Sequence, residues 1–273
     1  MARGLDGIEV VMLASSTPAF ISTITRLVLR RRRLWADDGW AFFSMLALIV
    51  QFVAVFMHPR TSREGVARYY LLATAFSAII WSARLSLLFS LIRVDPYVKR
   101  RSYLYGIAVI YIIFCILLIG QLLWTCQAEL HWKTTAVPQC HLGLPVALFQ
   151  LITDVLADGS LLVVPMFQFR IIIDRSLRHR LMAIFSTCII TTVVSLVHTF
   201  YLLTSRGIKV EILGIVENCV SLIVCNIPVI ATALLRLQEE TSRQMPTALL
   251  STIMFHSEDE EQGTPSDGSP AIG

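Results

Sequence analysis

The stretch YLYGIAVIYIIFCILLIGQLLW, residues 103–124, contains no charged side chain and decides the fold. A helix needs about 20 consecutive, mostly apolar residues to cross the hydrocarbon core of a bilayer. Because lipid offers no partner to an unpaired backbone N–H or C=O group, a single segment of this length must cross as an α-helix. The stretch therefore predicts a transmembrane helix.

Further apolar stretches lie on both sides of this one. The same criterion predicts spans near residues 8–29, 40–57, 69–92, 102–124, 144–169, 181–203 and 212–235. The predicted fold is an all-α, integral membrane bundle of seven helices over residues 1–236. The first stretch contains Glu9, Pro18 and Arg26, so a full span and a shallow or tilted helix both stay open there.

The composition agrees with a membrane protein. Apolar residues make up 55% of the 273 residues and charged residues 15%, whereas soluble domains have about 45–50% and about 25%. The mean hydropathy is +0.68. These values exclude a disordered chain, a nucleic-acid-binding protein and a small disulfide-rich secreted domain.

The distribution of Lys and Arg predicts the orientation in the membrane. The loops on one side, together with the C-terminal tail, contain fourteen of these residues, and the other side contains seven. Cytoplasmic loops carry the excess of positive charge, so we expect the N-terminus outside and the C-terminus in the cytoplasm. The plasma membrane is the expected location.

The last segment, residues 237–273, differs from the rest of the chain. It has one basic residue and seven acidic ones, a net charge of −6. Pro246 is expected to end any helix that continues from the last span. A polar segment rich in Ser, Pro and Gly cannot bury a core, so we expect a largely disordered cytoplasmic tail.

Several ionisable residues fall inside the predicted spans, where each costs at least about 2.5–3.5 kcal/mol without a partner or purpose. Their depths suggest an ion pair between Arg84 and Asp158, with Asp154 one turn away, and a contact between His198 and Glu217. Two interpretations stay open: a cavity that binds a ligand through Asp154, Asp158, His198 and Glu217, or polar contacts that hold helices together. Arg26 is expected to extend to the nearby cytoplasmic face.

Cys126 and Cys140 flank the longest predicted loop, on the exterior side. A disulfide is permitted there and would stabilise a 15-residue loop by roughly 3 kcal/mol. Two free thiols are the alternative. Neither these nor the other cysteines form a CxxC motif, so a zinc ribbon or thioredoxin-like site is not expected.

With the spans placed, residues 22–236 resemble the fungal rhodopsin-like integral membrane family of receptor-like seven-helix proteins. The matching positions are Arg26 and Arg30 before Asp37 and Asp38, Arg84 and Ser86 before Arg93, Asp158 before Pro165, Glu217 before Pro228, and the loop pair Cys126 and Cys140. One position departs from the family pattern. His198 stands where the family often has an arginine, so a charge pairing with Glu217 depends on protonation of the histidine.

The resemblance implies a receptor-like protein that senses an unknown small-molecule or surface ligand and relays it by helix rearrangement to a cytoplasmic signalling protein. Retinal chemistry is not expected, because a Schiff base needs a lysine and the predicted spans contain none. An enzyme is not expected either: the chain has neither a HExxH nor a Gly-x-Ser-x-Gly motif. No cofactor or metal is predicted. A proton- or solute-coupled transporter that uses the buried carboxylates is the alternative function.

Overall fold

The computed structural model describes residues 2–59, 61–128, 131–134, 140, 143–169, 175–204 and 208–261. The described part is all-helical and has no strand. Its helices are α1 (Ala2–Arg30), α2 (Ala36–Phe56), α3 (Ser62–Val94), α4 (Val98–Ala128), α5 (Gly143–Phe169), α6 (Arg175–Thr204) and α7 (Ile208–Glu261), with a short 3₁₀ helix at His131–Thr134.

Six of these helices are long and apolar enough to cross a membrane: α1 to α5 and α7. The stretch Gly7–Arg30 meets the criterion despite its polar residues, with a mean hydropathy of 1.4. In α6, the apolar segment among the described residues is the shorter Ile189–Leu202. The predicted all-helical membrane fold is therefore confirmed, with six span candidates in the described chain.

Helix α3 lies at the centre of the bundle and α4 at its periphery. In the most apolar window of α3, 78% of the residues are buried, against 22% in α4. The core packs Trp81 and Leu88 of α3 against Tyr111 of α4 and Leu161 of α5. The charged side chains of α3 consequently meet partners from several helices.

Local sequence sets two helix starts in this bundle. The Thr61 hydroxyl accepts a hydrogen bond from the Glu64 backbone N–H at 3.3 Å and caps α3. Gly143 begins α5 with a φ of +67°, a left-handed conformation that glycine adopts without a steric penalty.

Helix α7 extends further than the sequence predicts. Its backbone is helical through Pro246 to Glu261, where we expected a helix end near 235 and a disordered tail. Residues 237–261 contain many strong helix formers, Leu, Gln, Glu and Met, which favour a helix even where no core is buried. Residues 262–273 lie outside the described part. Met1–Ala231 and Thr232–Gly273 form separate compact units, and the sites below belong to the first.

Candidate functional site: two buried charge networks

The first buried network joins α3 to α5 and is termed here the central network. Arg84 Nη1 lies 2.5 Å from Asp154 Oδ1, and Arg84 Nε lies 3.0 Å from Asp158 Oδ1. All three residues are buried. The i,i+4 spacing of the aspartates puts both carboxylates on one face of α5, so a single guanidinium reaches both.

Helix α6 supplies further donors to these carboxylates. Thr192 Oγ1 donates to Asp158 Oδ2 at 3.0 Å, and Ser195 Oγ donates to Asp154 Oδ2 at 3.4 Å. The Arg84 guanidinium also lies over the Trp81 ring, 5.2 Å from its centroid. Each buried carboxylate thus has a charged partner and a hydroxyl partner, as buried charges require.

His198 of α6 and Glu217 of α7 form a buried pair beside the central network. His198 Nδ1 lies 2.5 Å from Glu217 Oε2, and the side chains are 8% and 3% exposed. The imidazole also packs edge-on against Phe76, with the ring centroids 5.1 Å apart. These side chains face the bundle interior and not lipid.

A small cavity is lined by Arg84 and Asp158 of the central network and by Glu217. Polar side chains of Thr191 and Ser221 complete its polar lining. It offers about 10 Å³ to the centre of a water molecule, close to what one water needs. Among the described residues, the carboxylates therefore engage their protein partners around a water-sized space, and ligand binding by these residues stays a prediction.

The second network is centred on Arg26, and we term it the Arg26 network. The predicted extension of Arg26 to the membrane face is wrong: its side chain is fully buried. Nε lies 2.9 Å from Asp38 Oδ1, and Nη2 lies 3.0 Å from Asp37 Oδ2. Nη1 donates to the Cys225 carbonyl at 3.0 Å and to Asn226 Oδ1 at 3.3 Å. This one residue connects α1, α2 and α7.

Two more arginines complete the Arg26 network. Arg30 Nη1 pairs with both Asp37 and Asp38, and Arg93 Nη1 lies 3.4 Å from Asp37 Oδ1. Ser86 donates to the Asp37 carbonyl at 2.8 Å. Three cations thus surround two carboxylates. A sequence signal was present, because adjacent aspartates at a predicted membrane boundary need compensating cations.

The two prolines among the family-motif positions lie in different helices, α7 and α5. Pro228 is buried in α7, two residues beyond Asn226. The side chain of Pro165 lies outside the described residues.

Sequence reasoning also missed two polar contacts that attach α7 to its neighbours. Gln51 and Asn218 are 2.7 Å apart, and Arg68 and Glu211 are 2.9 Å apart.

The disulfide between Cys126 and Cys140 is confirmed. The loop packs on the start of α3: Tyr69 donates from its hydroxyl to the Cys140 carbonyl at 3.3 Å, and the Trp132 ring lies 5.2 Å from the Tyr69 ring. The Trp132 indole N–H donates to the Cys126 carbonyl at 3.0 Å. The bridged cysteines and Trp132 therefore pack together against the first turns of α3.

The apolar helices and the buried charge networks define a multi-pass, α-helical membrane protein. A family model described as the fungal rhodopsin domain matches residues 22–236. The chain belongs to this family. No curated protein matches it. The matched range includes both networks and the disulfide.

Proposed function

We propose that the chain is a receptor-like protein with seven spans, its N-terminus outside and its C-terminus in the cytoplasm, located in the plasma membrane. It senses an extracellular ligand of unknown identity and relays binding to a cytoplasmic signalling protein by rearrangement of its helices. It acts without retinal and catalyses no reaction. Asp154, Asp158, His198 and Glu217 are the candidate ligand contacts.

One observation supports this proposal above the others: α3 carries an arginine of each charge network, and α7 carries both Asn226 of the Arg26 network and Glu217 of the pair beside the central network. Arg84 and Arg93 lie on α3, nine residues apart, and Glu217 and Asn226 lie on α7 with the same separation. At 1.5 Å per residue this is about 13 Å along each helix. A ligand that draws Glu217 away from His198 would shift α7 and so strain its contact with Arg26. Such a pair of coupled sites is what a relay requires.

The positions of the lysines support a mechanism without retinal. Lys99 lies in the first turn of α4 and Lys209 in the first turn of α7. These two helices are longer than the predicted spans and therefore include a lysine each. Both side chains are exposed. A retinylidene Schiff base needs a lysine amine facing the bundle interior, close to its counter-ion. Neither lysine meets that requirement.

The test is a ligand screen in cells that express the chain with a fungal heterotrimeric G protein, read out by G-protein dissociation. Glu217→Gln is expected to abolish the response at unchanged surface expression. Glu211→Gln is the matched control, because Glu211 lies on the same helix and pairs with Arg68 away from the central network. An equal response of Glu217→Gln and the parent would show that Glu217 does not contact the ligand. The absence of any response across the screen would count against the receptor.

The transporter alternative has less support. Asp154 and Asp158 are engaged by Arg84, Glu217 is engaged by His198, and the cavity beside them has room for about one water. A coupled transporter predicts proton-dependent flux in liposomes that Asp158→Asn abolishes. Flux of that kind would favour transport over sensing.

A further inference from the structure

A group of exposed cations lies at the end of the bundle that carries the Arg26 network. Arg31, Arg32 and Arg33 follow α1, and Lys99 opens α4; all four side chains are exposed. Arg93 Nη2, at the end of α3 and six residues before Lys99, donates to the Arg33 carbonyl at 3.3 Å and so links the segment after α1 to the end of α3 that leads into α4. We term these four residues the basic surface.

The carboxylates at this end of the bundle already form ion pairs with other arginines. Asp37 and Asp38 are buried in the Arg26 network, and Asp95 is buried 3.7 Å from Arg100 Nε. Within the described part of the chain, no carboxylate forms an ion pair with Arg31, Arg32 or Lys99. The basic surface therefore carries a positive charge that the described protein does not neutralise.

The start of α4 adds Arg101 to this excess, since Arg100 is paired with Asp95. Lys99, Arg100 and Arg101 stand in its first turn, and that turn has no acidic residue. Cations at a helix N-terminus oppose the helix macrodipole, whereas an anion at that position is stabilised by it. The arrangement is unfavourable for an isolated protein and favourable once an anion is bound.

The neighbouring apolar side chains indicate where that anion comes from. Leu34 is 59% exposed, Val98 80% and Tyr103 77%. They alternate with the cations at the ends of apolar helices, and exposed tyrosine beside basic residues is typical of the bilayer interface. A soluble polyanion gains nothing from these apolar groups. A phospholipid contacts the cations through its headgroup and the apolar side chains through its acyl chains.

We propose that the basic surface binds the phosphate-bearing headgroups of anionic phospholipids in the membrane leaflet that faces it. The phosphate oxygens accept hydrogen bonds from the Arg31, Arg32 and Lys99 side chains. The N-terminus of α4 contributes its backbone N–H groups. The site needs no ligand in the central network and is independent of signalling.

The test uses the full chain purified in an uncharged detergent, with lipid binding followed by native mass spectrometry. Phosphatidylinositol 4,5-bisphosphate, phosphatidylserine and phosphatidylcholine are titrated separately. The chain is expected to bind the two anionic lipids in preference to phosphatidylcholine. Replacing Arg32 and Lys99 by Gln is expected to weaken binding of the anionic lipids roughly 25-fold, since each basic residue near the surface contributes about 1 kcal/mol.

The matched control replaces Arg63 and Lys209 by Gln. Both are exposed and lie at the starts of α3 and α7, at the opposite end of the bundle, so anionic lipid binding should not change. An equal loss in both double variants, or no preference for anionic lipid in the parent, would overturn the proposal. Inositol hexakisphosphate is a separate arm: binding of this soluble polyanion without any lipid preference would also overturn it. The assay contains neither receptor ligand nor G protein, so its failure is distinct from failure of the receptor proposal.

Discussion

Arg26 of α1 donates from Nε to Oδ1 of Asp38 on α2 over 2.9 Å, with both side chains excluded from the surface. The same guanidinium reaches α7 through the Cys225 carbonyl. Helix α1 has the lowest buried share of the span candidates apart from α4. This polar contact therefore has a large part in attaching α1 to the bundle.

Replacing Arg26 by Met should destabilise the fold by about 3–5 kcal/mol, because it leaves Asp37 and Asp38 buried with less compensating charge. Chemical denaturation of the purified chain in detergent measures the free energy of unfolding. Arg31→Met is the control: that side chain is exposed on the following turn and should stay within about 0.5 kcal/mol of the parent. Equal stability of the two variants would contradict the buried role of Arg26.

The central network predicts an order of stabilities. Arg84→Met removes the cation that serves two buried carboxylates and should cost about 3–5 kcal/mol. Asp158→Asn should lower the free energy of unfolding by less, because Arg84 still pairs with Asp154 and the introduced amide oxygen still accepts a hydrogen bond. Thermal unfolding of both variants in the same detergent measures the difference. The reverse order would show that Arg84 does not hold the two aspartates together.

The pairing of His198 with Glu217 predicts energetic coupling. In a double-mutant cycle of His198→Gln and Glu217→Gln, we expect an interaction free energy of roughly 1–3 kcal/mol. His58 and Glu9 offer a matched pair whose histidine is 70% exposed, with an N–O distance of 3.3 Å. Its cycle should give close to zero, since surface ion pairs contribute little. Similar values for the two cycles would argue that burial adds nothing to the His198 contact.

The disulfide predicts how many cysteines an alkylating reagent labels, and a loss of stability when the bridge is removed. Among the described residues Cys126 and Cys140 are bridged, so an alkylating reagent in denaturant should label two more of the six cysteines with reductant than without it. Replacing Cys126 and Cys140 by Ala should lower stability by about 3 kcal/mol. Cys115→Ala serves as the control, because that thiol is free. Labelling of all six without reductant would show that the bridge does not form.

Much of the fold follows from hydropathy alone. Residues 103–124 form part of α4, and apart from Met57 the other predicted spans fall within described helices, because the length and polarity limits of a bilayer act on each segment separately. Helix boundaries were less predictable. Residues on both sides of Pro246 include strong helix formers, whereas proline is the weakest of all, so the continuation of α7 through Pro246 does not follow from local sequence.

The central network was partly predictable. For the Arg26 network, the sequence indicated that Asp37 and Asp38 need cations, but not that Arg26 is buried with them. Asp154 and Asp158 lie on one helix, so their shared face follows from the helical period, and depth along the membrane brings Arg84 to their level. Arg26 lay a turn from a predicted membrane face, where extension to water was the simpler expectation.

By itself, the sequence determined that the chain is a helical membrane protein, which stretches are apolar enough to cross a bilayer, and that ionisable groups within them need partners. Only the tertiary structure decided which partners they have. Arg26 meets Cys225 and Asn226, 199 and 200 positions later in the chain. The helical period fixes how a side chain is oriented on its own helix. Which helix lies opposite depends on how all the helices pack, and no local pattern encodes that arrangement.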